Sequence, residues 1–341
     1  MCAVTAIEHH TNQVLNVSVV QKNEVDNVSG RMELAGVKKC IEAIESHVRI
    51  DDVTIDKHPQ VCSHLRQAGY EYHFDPWHVL KGIKKQVRAE MKQLQNEDDK
   101  NQLKELGKRF VVHVYTAVEK AEDDPSLCKE YVYSLFNHVR GQHEWEPSNF
   151  LDLIPINANT KVGQQFKKEA FAKVLKCPHF ENSAEFESNH QPIDPSSNAY
   201  QKILEIASKT PFLNDLGRLK HGNFTSVVES FHSVVIHYRP KRKYYSPKGF
   251  ERRTMLAAMS WNENRLAEIR GERTVVQVYE FYSKAKGEKT VKYKKGPVSE
   301  KWKRKIVEDA GREPKVLDFP YPWKKMMMGL LMCLLISLTS S

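Results

Sequence analysis

AVTAI (Ala3–Ile7) and VLNVSVVQ (Val14–Gln21) begin the chain with two runs that are rich in β-branched residues. The polar tetrapeptide HTNQ (His10–Gln13) separates them, and this pattern predicts a β-hairpin. The period then changes to that of a helix over Ser29–His47, in which the apolar side chains fall on one face.

Three further elements extend this start. IDDVTID (Ile50–Asp56) predicts a short strand that ends on an acid, and HPQVCSHLRQAG (His58–Gly69) predicts a short helix. YEYHF (Tyr70–Phe74) predicts another strand. The order β-β-α-β-α-β is typical of an α/β domain built around a mixed sheet.

Beyond residue 80 the pattern is mainly helical, and a β-hairpin is predicted over 274–294. We divide the chain into five segments: the first part of the α/β core (1–80), a mainly helical insertion with a loop-rich region (81–215), a helical part of the core (216–272), a basic hairpin and tail (273–323) and a short apolar C-terminus (324–341).

The composition indicates a folded, basic protein in a reducing compartment. The 341 residues are 40% hydrophobic and 28% charged, which excludes a disordered chain, a collagen and a polytopic membrane protein. The net charge of +9 favours a polyanionic partner. The six cysteines are scattered and form no CxxC pair, so they do not indicate a disulfide framework. The first residues lack the features of a signal peptide.

The C-terminus contains an apolar run of 13 residues, Met326–Leu338. This is shorter than the roughly 20 residues of a spanning helix, so we expect a packed C-terminal helix or a degraded gene end. The alternative is a marginal membrane anchor.

Three acids are placed where they could bind divalent metals. Asp56 and Asp75 each follow a predicted strand, and Glu229 lies in a helical segment. Strand-end carboxylates that converge with a helix carboxylate can hold two metal ions about 4 Å apart for phosphodiester chemistry. The alternative is that each acid is a solvated cap.

A series of blocks follows one order along the chain: SxxMExxG (Ser29–Gly36), DKH (Asp56–His58), FDPWHVxKxIKK (Phe74–Lys85), NHxxGxH (Asn137–His143), CxH (Cys177–His179), TSxxESFHS (Thr225–Ser233) and RRTMLAAMSWNENR (Arg252–Arg265). In this order they resemble transposase-derived proteins that have an RNase H-like core and are related to Mutator-type DDE transposases. The match covers residues 1–295 loosely and the blocks closely.

The resemblance implies an RNase H-like mixed sheet and a core that cuts and joins DNA with Mg²⁺ held by Asp, Asp and Glu. Asp56 matches the second acid and Glu229 the third. The block with the first acid, of the kind DGRxDSPG, is not present in the sequence. We therefore expect an incomplete sheet that lacks its first, central strand, and a protein that binds DNA in the nucleus without catalysis. The alternative is a fragment of an active transposase, in which Asp56 and Glu229 are catalytic and Mg²⁺ is the cofactor.

Other polar residues lie close to these acids in the sequence. Four of them could surround the site of Asp56 and Glu229 without binding the metal directly: His58, Asp75, His78 and His232. His78 could equally pack at the start of the following helix.

A second set of residues suggests zinc. His138 and His143, five residues apart, are followed by Cys177 and His179. Two nitrogen ligands, a sulfur and a further nitrogen suit tetrahedral Zn²⁺. Separate histidines on an irregular surface are the alternative.

Cations and aromatic residues alternate in RPKRKYY and the nearby FERR. We predict that this part binds nucleic acid through the residues Arg239, Lys241, Arg242, Lys243, Tyr244, Arg252 and Arg253. Lys284–Lys305 adds ten Lys/Arg against two Glu. DNA is the predicted partner, and the protein could form a homo-oligomer. The alternative from another class is a helical interaction protein whose C-terminal tail anchors it in a membrane.

Overall fold

The computed structural model describes residues 1–153, 157–177, 192–223, 225–283, 288–310 and 330–338. Its strands are β1 (Cys2–Glu8), β2 (Val14–Val20), β3 (Ile50–Ile55), β4 (Glu71–Phe74), β5 (Ser148–Asn149), β6 (Ala170–Phe171), β7 (Val275–Ser283), β8 (Glu288–Lys295) and β9 (Leu330–Leu338). Its α-helices are α1 (Met32–Glu45), α2 (Pro59–Gln67), α3 (Pro76–Met91), α4 (Glu97–Lys120), α5 (Pro125–His138), α6 (Phe150–Leu153), α7 (Lys161–Phe166), α8 (Asn198–Ala207), α9 (Thr210–Leu216), α10 (Ser226–Tyr238), α11 (Pro247–Ile269) and α12 (Lys301–Ala310). Short 3-10 helices cover Lys22–Val25 and Ser29–Arg31. The predicted α/β class is confirmed.

The chain forms two compact units. The first combines Met1–Tyr72 with Thr225–Ser341, and the second is His73–Phe224. A mixed sheet of five strands, in the order β2-β1-β9-β3-β4, is the centre of the first unit. The predicted N-terminal series of strands and helices is confirmed, as is the hairpin over β7 and β8.

The central strand of the sheet comes from the C-terminus. β9 pairs in parallel with β1, with Cys2 opposite Leu330 and Glu8 opposite Ile336. On its other side β9 pairs antiparallel with β3, where Ile55 lies opposite Leu334. The predicted gap in the sheet is therefore filled, and β1 and β3 both have a partner at this position.

The prediction of a packed C-terminal helix is wrong, because residues 330–338 form β9. A short, continuous apolar run has no period that distinguishes a strand with two covered faces from a buried helix. No helix in the part of the chain that the structure describes combines the length and apolar character needed to cross a membrane.

Helices cover both faces of the β1–β2 hairpin. A Cβ atom on Gly36 of α1 would come within 2.4 Å of the Val4 side chain, so only glycine allows α1 to lie this close to β1. On the other face, α10 and α11 pack Phe231 and Ala257 against Ile7 and Val17 in one apolar cluster. Burial of these side chains supplies the main driving force for folding this unit.

Side chains from the SWNENR part of α11 form hydrogen bonds with the backbone of the β1–β2 hairpin. The amide of Asn262 accepts a hydrogen bond from the Val14 N–H (2.7 Å) and donates one to the Val14 carbonyl (2.8 Å). Nε1 of Trp261 donates to the Asn12 carbonyl (2.7 Å). β2 is one of the two edge strands of the sheet, so the Asn262 side chain satisfies backbone groups of β2 that the sheet leaves without a partner.

The second unit is mainly helical. Its centre is aromatic: Phe110 of α4 contacts Phe136 of α5, and Phe136 contacts Tyr200 of α8 edge-to-face. The buried hydroxyl of Tyr133 donates to the carbonyl of Ala207 at 2.8 Å. Buried aromatic rings favour such edge-to-face contacts, and a buried tyrosine hydroxyl needs a hydrogen-bond partner.

Candidate functional site

The end of α5 brings two histidines together. The helix ends in a Schellman motif, in which the Gly141 N–H donates to the His138 carbonyl (2.9 Å) and the Gln142 N–H to the Asn137 carbonyl (3.1 Å). Gly141 has a φ of 81°, a left-handed conformation that favours glycine. The chain reverses here, and His143 returns to the side of His138.

A short antiparallel pairing then adds a cysteine. The Cys177 N–H donates to the His143 carbonyl (2.8 Å), and the Trp145 N–H donates to the Leu175 carbonyl (3.0 Å). Nε1 of the buried Trp145 donates to the Val174 carbonyl at 2.8 Å. Trp145 therefore fixes the residues just before Cys177 through both its main chain and its indole ring.

A buried glutamate of α5 holds the same segment from the other side. One oxygen of Glu130, which is 3% exposed, accepts hydrogen bonds from the N–H groups of Ala172 (3.0 Å), Lys173 (2.8 Å) and Val174 (2.8 Å). Such charge-assisted bonds are roughly twice as strong as neutral ones. The sequence analysis missed Glu130, because an acid in the middle of an amphipathic helix has no pattern that marks it as buried.

His138, His143 and Cys177 form a group that could hold a metal ion. One donor atom of each lies within 4.8 Å of the other two. Nδ1 of His138 is 3.4 Å from Nδ1 of His143. Two nitrogens bound tetrahedrally to one Zn²⁺ at 2.0–2.1 Å lie about 3.3 Å apart, so the pair has the spacing of metal ligands. Burial raises the pKa of the Cys177 thiol to about 12, so a metal would have to displace its proton. His179, the fourth predicted ligand, lies outside the described residues.

The two acids implied by the resemblance both belong to the first unit. Asp56 directly follows β3 and is half-buried, and its carbonyl accepts a hydrogen bond from the His58 N–H at 2.7 Å. Glu229 is exposed on α10. Within the ranges that the structure describes, only the histidine–cysteine group brings three or more metal-binding side chains together. Neither Asp56 nor Glu229 therefore belongs to a group of three metal-binding side chains in the described part of the chain.

His58 and His232 occupy two different environments. Nε2 of His58 lies 3.0 Å from the carboxylate of Glu33 on α1, so one contact joins the MExxG and DKH blocks. His232 is 8% exposed on α10, and burial, followed by the charges of Lys241 and Arg239, lowers its pKa to about 4. His232 is therefore neutral at physiological pH.

Asp75 and His78 belong to the second unit. The buried Asp75 carboxylate accepts a hydrogen bond from the Trp77 N–H (2.7 Å) and thereby caps α3. His78 lies in the first turn of that helix, beside the Trp77 ring.

The predicted nucleic-acid residues line one surface of the first unit, from the end of α10 to the first turns of α11. Lys241, Arg242, Lys243 and Arg252 are exposed, and among the described residues no carboxylate pairs with them. The neighbouring Tyr244 ring is 76% exposed. We call the residues 241–244 with Arg252 the basic surface.

The remaining two cations of this region are structural. The guanidinium of Arg239 lies 3.5 Å from the centre of the Phe250 ring, and burial lowers its pKa to about 10. Arg253 donates to the Tyr238 carbonyl (2.9 Å) and lies 5.0 Å from the centre of the Tyr245 ring. They hold the ends of α10 and α11 together and so support the basic surface.

Comparison with protein-family models, curated protein sequences and solved structures finds no match to this chain.

Proposed function

We propose that the protein is a transposase-like protein, derived from a transposable element, that binds DNA in the nucleus and does not cleave it. The basic surface carries the binding part of this proposal. It clusters four exposed cations, none with a carboxylate partner among the described residues, beside the exposed ring of Tyr244. Cations without a counter-charge gain most from contact with phosphates, because binding releases the condensed counterions of DNA.

The order of the sheet supports the transposase-like part. The resemblance implies a central strand between the N-terminal hairpin and the strand that ends at Asp56. Here β1 and β3 flank one central position, and β9 occupies it. The relative order of the hairpin, β3 and β4 around this position supports the proposed RNase H-like sheet.

The sequence of β9 supports the absence of catalysis. LLMCLLISL (Leu330–Leu338) contains no acid, so the central strand supplies no first carboxylate to Asp56 and Glu229. A two-metal site needs carboxylates that bridge both ions, and two acids on two elements do not complete it. In this proposal Asp56 and Glu229 remain from an ancestral site and Mg²⁺ is not a cofactor.

Zn²⁺ is the metal that we propose for His138, His143 and Cys177, with His179 as the fourth ligand. The mixed nitrogen and sulfur donors, the 3.4 Å nitrogen spacing and the buried cysteine support a closed structural site. The ion would fasten the end of α5 to the segment that Glu130 and Trp145 already hold.

DNA binding is tested by fluorescence anisotropy with a labelled duplex at several salt concentrations. We expect the triple variant Lys241→Ala, Arg242→Ala, Lys243→Ala to bind at least about tenfold more weakly at low salt. The slope of log affinity against log salt should fall by about 2.7, since each phosphate contact contributes about 0.9. Mg²⁺ should leave the length of the DNA unchanged and should lower the affinity no more than Ca²⁺ at the same concentration, because both act only as competing counterions.

The matched control removes the same charge from exposed lysines of α4: Lys104→Ala, Lys108→Ala, Lys120→Ala. This variant should keep the wild-type salt slope. Equal losses in both triple variants would mean that net charge alone attracts DNA, and cleavage of the duplex with Mg²⁺ would overturn the non-catalytic part of the proposal.

The zinc site is tested by elemental analysis of the purified protein. We expect close to one zinc per chain in the wild type and a loss of it in Cys177→Ala and in His143→Ala, because each removes a proposed ligand. Cys128→Ala is the control, since Cys128 is equally buried but lies outside the group. A metal-free wild type, or full zinc in both ligand variants, contradicts this assignment.

A further inference from the structure

The hairpin of β7 and β8 exposes aromatic residues on both of its faces. The register places Gln277 opposite Lys294, Tyr279 opposite Lys292 and Phe281 opposite Thr290. Paired residues share a face and successive residues alternate, so these six side chains lie together. We call them the lysine–aromatic face. Tyr279 is 42% exposed and Phe281 44% exposed.

The opposite face differs in charge. Here Val278 lies opposite Tyr293, and Tyr282 lies opposite Lys289. The one carboxylate on this face, Glu280, pairs with Lys289 at 2.9 Å. We call this the valine–tyrosine face, and Lys289 on it is neutralised by Glu280. The lysine–aromatic face carries Lys292 and Lys294 towards its base, and its one acid by register, Glu288, lies at the other end of the face.

Rings and cations are interleaved on the lysine–aromatic face. Nζ of Lys292 lies 3.7 Å from the centre of the Phe281 ring, and Lys294 lies two residues further along the same strand. Tyr279 and Phe281 are also two residues apart, which corresponds to about 6.8 Å along the strand. A base that stacks on Phe281 would therefore take the place of the Lys292 ammonium over this ring, and the ammonium could then pair with the phosphate of that nucleotide.

The base of the hairpin is fixed to α11. Glu268, whose side chain is 13% exposed, pairs with Arg273 (2.8 Å), with Lys295 (2.9 Å) and with Arg265. Nε of Arg273 also donates to the carbonyl of Gly296 at 3.1 Å. Since both strands are anchored at their base, the face is held in one orientation and binding loses less conformational entropy.

We propose that the lysine–aromatic face binds single-stranded DNA, with unpaired bases stacked on Tyr279 and Phe281 and phosphates at Lys292 and Lys294. This inference rests on the proposed DNA binding and specifies that the DNA bound by this face is single-stranded. Aromatic rings stack on bases of any sequence, but only where the bases are unpaired. The positive charge of this face complements phosphate, while the neutral valine–tyrosine face has no such feature.

The experiment compares two double variants of the full-length chain. Tyr279→Ala with Phe281→Ala removes two exposed rings from the lysine–aromatic face. Tyr282→Ala with Tyr293→Ala removes two exposed rings, 58% and 65% exposed, from the other face of the same hairpin. Anisotropy is measured with a labelled thymidine oligomer of about 12 nucleotides and with a duplex of equal length.

We expect the first variant to lose about 10- to 100-fold in affinity for the single strand and less than about threefold for the duplex. The second variant should bind both DNAs as the wild type does. Thermal transitions equal to that of the wild type show that both variants fold. Light scattering on each variant reports its mass.

The outcomes are distinguishable. If the wild type binds neither DNA, the proposed function itself fails. If the wild type binds the duplex but the two variants bind the single strand with equal affinity, this inference fails and the proposed function stands. The inference is also overturned if the first variant changes only the mass of the protein, because the face then binds a second copy of the chain.

Discussion

Deletion of residues 330–338 is expected to unfold the first unit. β9 pairs with β1 along the whole length of that strand and with β3 from Ile50 to Ile55. All seven residues of β1 are buried, so its backbone groups would lose their partners without gaining free access to water. Each such group costs about 1–3 kcal/mol, and a typical domain is stable by only 5–15 kcal/mol. The folded first unit should therefore not be populated at 25 °C.

A single proline tests the same point with less disruption. Leu334 lies opposite Ala6 on one side and Ile55 on the other, and proline there cannot donate a ladder hydrogen bond. We expect Leu334→Pro to lower the stability of the unit by about 3 kcal/mol or more, and Leu334→Val, which keeps the N–H group and an apolar side chain, to change it by less than about 1.5 kcal/mol. Circular dichroism and thermal denaturation measure both variants. A wild-type transition in the deletion or in Leu334→Pro would show that β9 is dispensable.

The sequence predicts those parts of the first unit whose patterns are local. The N-terminal hairpin, α1 and the strand before Asp56 each follow from alternation or helical period within their own residues. β7 and β8 were predicted for the same reason. The place of β9 could not be predicted, because nothing within Leu330–Leu338 indicates that its partners lie at the other end of the chain.

The candidate metal site was predicted in part. His138, His143 and Cys177 are marked by residue type and spacing alone, and the structure brings them together. What positions them has no comparable signal. Glu130 and Trp145 bind backbone groups that are distant in the sequence. The residues next to them are those of an ordinary helix and loop, so they give no sign of these contacts. The roles of Asn262 and Trp261 on the hairpin backbone are of the same kind, since they depend on tertiary packing.

Glu130→Gln is expected to destabilise the second unit strongly. The amide oxygen of glutamine can replace the single carboxylate oxygen that accepts the three N–H groups, but it carries no charge, so each charge-assisted bond becomes a neutral one. A hydrogen bond to a charged group contributes about 1 kcal/mol more than a neutral one, so the loss of charge in these three bonds should cost about 2–4 kcal/mol of unfolding free energy. Glu130→Ala should cost at least as much, since it also leaves a cavity.

The measurement combines thermal denaturation with zinc analysis. Because Glu130 holds residues 172–174, its loss should free the segment that ends at Cys177 and reduce bound zinc together with stability. Glu105→Gln is the control: this exposed glutamate pairs with Lys108 three residues later on α4, and such surface pairs contribute about 0–1 kcal/mol. If Glu130→Gln retains the wild-type transition and zinc content, the segment is held by Trp145 and by the metal ligands themselves. A loss of stability with full zinc would instead separate the two roles and confine Glu130 to the packing of α5.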